Sequence, residues 1–152
     1  MLEDLIATAA TEWSCAKAIQ KYAKGADSND AEMFTGAFTP DGVWVRPDGQ
    51  EIKGHDALRT FLLARPTGGF ARHIISNIVV DVLDASTAVA ASLATVLKYP
   101  APANLPLTTK PATMLACYDD QLRLCADGQW RIARRRVTLL MDLPASSGGT
   151  SA

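Results

Sequence analysis

Only two histidines occur in the 152 residues, His55 and His73, and only three cysteines, Cys15, Cys117 and Cys125. The cysteines are odd in number and lack metal-ligand spacing, which excludes a disulfide framework and a zinc ribbon. They read as buried thiols of a reducing, cytoplasmic compartment. No set of three or four His, Cys or carboxylate ligands has suitable spacing, so no metal is expected. Charge of neither sign dominates, with 15 Lys+Arg against 16 Asp+Glu. The one basic cluster, Arg131 with Arg134 to Arg136, is too small for a nucleic-acid footprint. No apolar run reaches the length of a membrane span. Glu3 and Asp4 stand where a signal peptide would carry basic residues. A glycine-rich strand-to-helix turn is missing, so no nucleotide cofactor is expected. There are no internal repeats.

What is present is one domain, 48% hydrophobic, enough for a single core. It is expected to span residues 1–143, with a flexible tail over 144–152. Leu2, Ile6, Ala9, Trp13, Ala16, Ile19 and Ala23 recur at helical spacing, and Gly25 is the expected stop. Ser28, Asn29 or Asp30 can cap a short helix over Ala31 to Phe38. Thr39 to Gly42 reads as a turn, Val43 to Arg46 as a strand, and Asp48-Gly49 as a hairpin turn before Glu51 to Lys53. A third helix over Asp56 to Ala64 ends before Pro66. Four long β segments follow, with a proline-rich loop over Pro100 to Pro111. The order is α+β with a mostly antiparallel sheet. The first helix needs an apolar surface, which a strongly curved sheet folded over it would supply.

The first of these long β segments carries the chemistry. Strand alternation puts His73, Asn77 and Asp81 on one face with Ile75 and Val79. Ile74, Ile78, Val80 and Val82 then line the other. The polar row is either a half-solvated face with a satisfied histidine or the wall of a pocket. His55, at a helix start, reads as part of a cap.

Several short motifs occur in a telling order. They are Tyr22-x4-Asp27, Phe38-Thr-Pro-Asp-Gly-Val-Trp44, Ile52-Lys-Gly54, Arg72-His-x3-Asn77, Tyr118-Asp-Asp-x-Leu-Arg123 and Asp127-Gly-Gln-Trp-Arg-Ile132. In this order the chain resembles the SnoaL-like branch of the nuclear transport factor 2-like superfamily. The resemblance covers about residues 10 to 140. It implies a cystatin-like, cone-shaped α+β barrel, whose curved sheet wraps the long N-terminal helix and leaves a deep pocket at the open end. It also implies a homodimer paired through the sheet; if His73, Asn77 and Asp81 line the pocket, strand alternation makes Ile74, Ile78, Val80 and Val82 the outward face that a partner would cover. The fold hosts many activities, so the resemblance speaks more to fold than to reaction.

Within that superfamily the scytalone dehydratase and bile-acid dehydratase branch is most similar. Its members use a tyrosine and an aspartate near the end of the first helix and a histidine on a middle strand. Tyr22, Asp27 and His73 match those positions and are the expected catalytic residues. An imidazole can transfer protons at neutral pH, a carboxylate can orient it, and a tyrosine hydroxyl can stabilise an enolate oxygen. Asn77, Trp44, Tyr118 and Arg135 are the expected substrate-binding residues. Of the arginines, Arg134 and Arg136 share a face with Trp130 and Ile132, and Arg135 shares one with Val137 and Leu139. Only one set can point inward, and a bulge would reverse the choice. Ketosteroid isomerase chemistry is not expected, since Arg46-Pro47 stands where that enzyme has its Asp-Pro base and its second oxyanion donor would fall near Ala116 or Cys117.

The expectation is a cofactor-independent lyase or isomerase of dehydratase type, acting on a small hydroxylated cyclic substrate in a deep apolar pocket. Its partner is then a small, cyclic, apolar ligand rather than nucleic acid or membrane. The alternative is a non-catalytic ligand-binding or structural subunit resembling the β chain of aromatic-ring dioxygenases.

Overall fold

The computed structural model describes residues 1–145, and most of the expected 144–152 tail lies outside them. The elements are α1 (Leu2–Ser28), α2 (Ala31–Gly36), β1 (Phe38–Val45), β2 (Glu51–Lys53) and α3 (Gly54–Leu63). They continue with β3 (Phe70–Val82), β4 (Thr87–Tyr99), β5 (Ala112–Leu124) and β6 (Trp130–Leu143). The six strands form one curved mixed sheet in the order β2-β1-β6-β5-β4-β3. Only β1 and β6 pair in parallel. The sheet is open between β2 and β3, so the expected barrel is a curved, unclosed sheet. Among the described residues, no helix is long and apolar enough to cross a membrane.

The C-terminal half of α1 lies on the concave face. Its buried stripe is Cys15, Ala18, Ile19, Tyr22, Ala23 and Ala26, at the three-to-four-residue spacing of one helix face. The expected stripe began at Leu2, but Leu2, Ile6 and Trp13 are exposed, Trp13 by 69%. Gly25 does not stop the helix. A Cβ there would meet the Phe34 backbone nitrogen at 2.5 Å, so glycine allows α2 to cross α1 at close range. The stop is Asn29, in the left-handed region at φ 54°. Asp30 then caps α2, its Oδ1 accepting the Met33 N–H at 2.9 Å.

The alanines of β4 that weaken its strand propensity have a packing role. Ala88, Ala90 and Ala94 are buried in the core on the inner face of the sheet. Thr39 to Gly42 is a bulge inside β1 rather than a turn between elements, with Phe38 opposite Ile132 and Val43 already opposite Arg134. Three further irregularities interrupt β3–β4 and β5–β6 pairing, and each reverses the face that later residues present.

Candidate active site

Asp27, on the last turn of α1, reaches the edge strand β3. Its Oδ2 accepts the backbone N–H of His73 at 2.8 Å, and its Oδ1 meets His73 Nδ1 at 2.6 Å. An edge strand leaves alternate N–H groups unpaired by neighbours, and Asp27 takes one of them. The pair is largely enclosed, with side-chain exposures of 9% for His73 and 15% for Asp27. An ionised carboxylate only accepts, so a neutral ring paired with one keeps its proton on Nδ1 and its lone pair on Nε2.

His73 lines a cavity of about 330 Å³ with Tyr22, Trp44, Phe61, Val96, Met114 and Tyr118. The Tyr22 ring stands 6.0 Å from the His73 ring and 5.9 Å from the Tyr118 ring, edge-on to both. Trp44 meets Phe61 edge-on at 4.9 Å, and its buried Nε1 has no hydrogen-bond partner. Asp27 stands behind the imidazole and faces a neighbouring pocket with Gln20 and Arg72. Tyr22, His73, Trp44 and Tyr118 therefore converge on one cavity, with Asp27 supporting the histidine from outside.

Below the cavity lies a buried ion pair. Arg135 is 0% exposed. Its Nε and Nη2 donate to the two Asp120 oxygens at 2.7 and 2.6 Å. Its guanidinium carbon is 4.3 Å from the Tyr22 ring centroid and 4.2 Å from that of Tyr118, a double cation–π contact. Burial disfavours the Arg135 charge, but Asp120 outweighs burial and its pKa is raised. Burial also raises the pKa of Tyr22, which Arg135 partly opposes, and raises that of Tyr118. Both phenols are therefore neutral hydroxyl donors across the physiological range.

Two expected substrate contacts need correction. Arg135 points inward as expected, but its fork is bound by Asp120, and the cavity wall is made by the tyrosines that cover it. Its inward aspect depends on an irregularity in β5–β6 pairing, where Gln121 faces Arg134 and Leu122 faces Ile132. The extra residue lets Ile132 and Arg135 both turn inward, although their parity differs. Asn77 is the extra residue of a bulge in β3. It has φ 53° and is exposed, and pairing slips between Ser76 and Val79. Past that bulge, Ile78 and Val80 pack against the core and Val79 turns outward, the reverse of strict alternation. Asp81 is exposed.

His55 belongs to the scaffold, its Nε2 lying 2.9 Å from the Phe38 carbonyl oxygen. Three charged cavity residues escaped the sequence reading: Arg46, Arg65 and Lys98. For Lys98 a signal existed. Ala88, Ala90, Ser92, Ala94 and Val96 form the inward row of β4, and Lys98 is the next residue of that row and its one charge.

The SnoaL-like domain family model matches residues 7–136. No curated protein matches the chain. Among solved structures, Rv3472 of Mycobacterium tuberculosis, a protein of unknown function, is 28% identical with a TM-score of 0.72, over 84% of this chain and 70% of that one. A candidate scytalone dehydratase from Novosphingobium aromaticivorans is 19% identical with a TM-score of 0.79, over 97% and 99%. Hexachlorocyclohexane dehydrochlorinase LinA-type3 from Novosphingobium barchaimii is 13% identical with a TM-score of 0.78, over 94% of each chain. The last two identities speak to fold alone, but the family match spans most of the sequence: the chain belongs to the SnoaL-like domain family.

Proposed function

We propose that the protein is a cofactor-independent lyase that eliminates a leaving group from a small cyclic substrate, with His73 as base. The observation that carries this reading is the double contact of Asp27 with His73, on a ring that lines a cavity; with the ring proton on Nδ1, Nε2 is the free base. In the reaction His73 Nε2 takes a proton from the carbon next to a carbonyl. The C–H electron pair becomes the new double bond, and hydroxide or halide leaves the neighbouring carbon with its electron pair. Asp27 holds the ring in register and stabilises the imidazolium as it forms. Tyr22, with Tyr118 beside it, donates a hydrogen bond to the oxygen that gains charge. A cavity of about 330 Å³ admits one or two fused rings. Elimination is also the reaction named for the two Novosphingobium neighbours, a dehydratase and a dehydrochlorinase.

A buried, oriented histidine facing a cavity supports this reading over a purely structural subunit. The test is a panel of cyclic β-hydroxy and β-halo ketones, assayed for elimination with and without a chelator. Turnover that chelation leaves unchanged and that falls in His73→Ala by on the order of 10²-fold or more is expected. Turnover that survives the substitution, or that chelation abolishes, would refute the proposal.

A further inference from the structure

The wall of the cavity holds three cations, Arg46, Arg65 and Lys98, and no carboxylate. Arg46 is partly engaged. Its Nη1 donates to Gln50 at 2.7 Å, Asp48 lies at 3.8 Å, and its guanidinium sits 5.1 Å from the Phe61 ring. Among the described residues, the Arg65 guanidinium donates only to the Ala26 carbonyl, at 3.3 Å. Among the described residues, neither Arg65 nor Lys98 has an ion-pair partner.

Arg65 and Lys98 also line a second hollow of about 560 Å³, formed with Gly68, Phe70 and Pro100. The cavity and this outer groove therefore meet at the two cations. The one carboxylate of the groove is Asp27, which His73 already occupies. Partial burial lowers the pKa of the Lys98 amine, Arg65 and Arg46 lower it further, and only Asp142 opposes. Like charges gathered at one opening repel one another, and an anion bound among them relieves that repulsion.

We infer that the junction of cavity and groove is an oxyanion subsite. The ligand is a cyclic compound bearing a carboxylate or phosphate, with its ring in the cavity and its anion between Arg65 and Lys98. Arg46 adds positive charge, and any longer chain on the ligand runs out along the groove. This inference rests on the lyase reading only for the placement of the ring beside His73.

The probes are naphthalene-2-carboxylate, its neutral amide and 2-naphthyl phosphate, titrated calorimetrically against the intact protein. The carboxylate should bind about tenfold or more tightly than the amide at low salt, the scale of a charge-assisted hydrogen bond. Added salt should weaken the two anions and leave the amide unchanged. Lys98→Met and Arg65→Met, checked for folding by circular dichroism, should each bring the carboxylate and amide affinities together. The ranking of phosphate against carboxylate identifies which anion the subsite fits. Equal binding of amide and carboxylate, a preference that survives both substitutions, or no binding of any probe would overturn the inference. A clear preference without elimination in any assay would leave the subsite standing and remove the lyase reading. Elimination with no preference would do the reverse.

Discussion

Arg135 and Asp120 form a fully enclosed ion pair, with two parallel hydrogen bonds of 2.7 and 2.6 Å and 0% exposure of both side chains. The pair sits beneath Tyr22 and Tyr118 and fixes the floor of the cavity. Removing one partner leaves an uncompensated buried charge. Asp120→Ala should therefore lower unfolding free energy by about 3–5 kcal/mol, read from denaturant midpoints. The adjacent exposed Asp119→Ala should change it by about 0.5 kcal/mol or less. Equal effects would contradict this account of the floor.

The tyrosines give a prediction on the alkaline side. Burial raises the folded-state pKa of Tyr22 and Tyr118 above that of the unfolded chain. The stabilisation is therefore fully present below the ordinary phenol pKa near 10 and is lost as pH rises above it. Phenolate absorbance should show Tyr22 and Tyr118 titrating late, together with unfolding. Tyr22→Phe and Tyr118→Phe should each remove one part of that late step. An ordinary titration of both phenols in the folded protein would contradict the described burial.

Gly25 offers a packing test. A methyl group there would press on the α2 backbone, at 2.5 Å from the Phe34 nitrogen. Gly25→Ala raises helix propensity, yet it should destabilise by about 1–3 kcal/mol through overpacking. A more stable variant would mean that α1 and α2 are not in close contact.

The outer face of β3 bears on assembly. Ile74 is 54% exposed and Val79 60%. We expect a second copy of the chain to cover them, because exposed apolar patches of this kind mark contact sites. Light scattering at micromolar concentration should report a dimer, and Ile74→Glu a monomer. A monomeric wild-type protein would refute the expectation.

These comparisons also show what the residue order encodes. The helix–hairpin–helix–strand order and the turn signal at Asp48-Gly49 carry the antiparallel part of the sheet, since local periodicity and turn chemistry act within a few residues; the parallel pairing of β1 with β6 has no such local signal. The meeting of Asp27 with His73 was legible only by likeness, because 46 residues separate them. Bulges escaped. The extra residue at Asn77 swaps the faces of β3, and another puts Arg135 and Ile132 on the same side. Neither position carries a glycine or proline to announce it. Asp120 escaped for a related reason, since nothing in Tyr118-Asp-Asp reveals which carboxylate will find Arg135. The exposed first half of α1 escaped because periodicity reports an apolar face and not whether the sheet extends beneath it.

The central claim is that Asp27 fixes His73 with its proton on Nδ1 and its lone pair on Nε2. Nitrogen-15 NMR of the imidazoles reads that tautomer directly, and with two histidines in the chain, His55→Gln assigns the signals. At a pH where the ring is neutral, His73 should be the Nδ1–H tautomer, and Asp27→Ala should release it to a mixture. An Nε2–H tautomer in the wild-type protein would leave no base facing the cavity and would contradict the account.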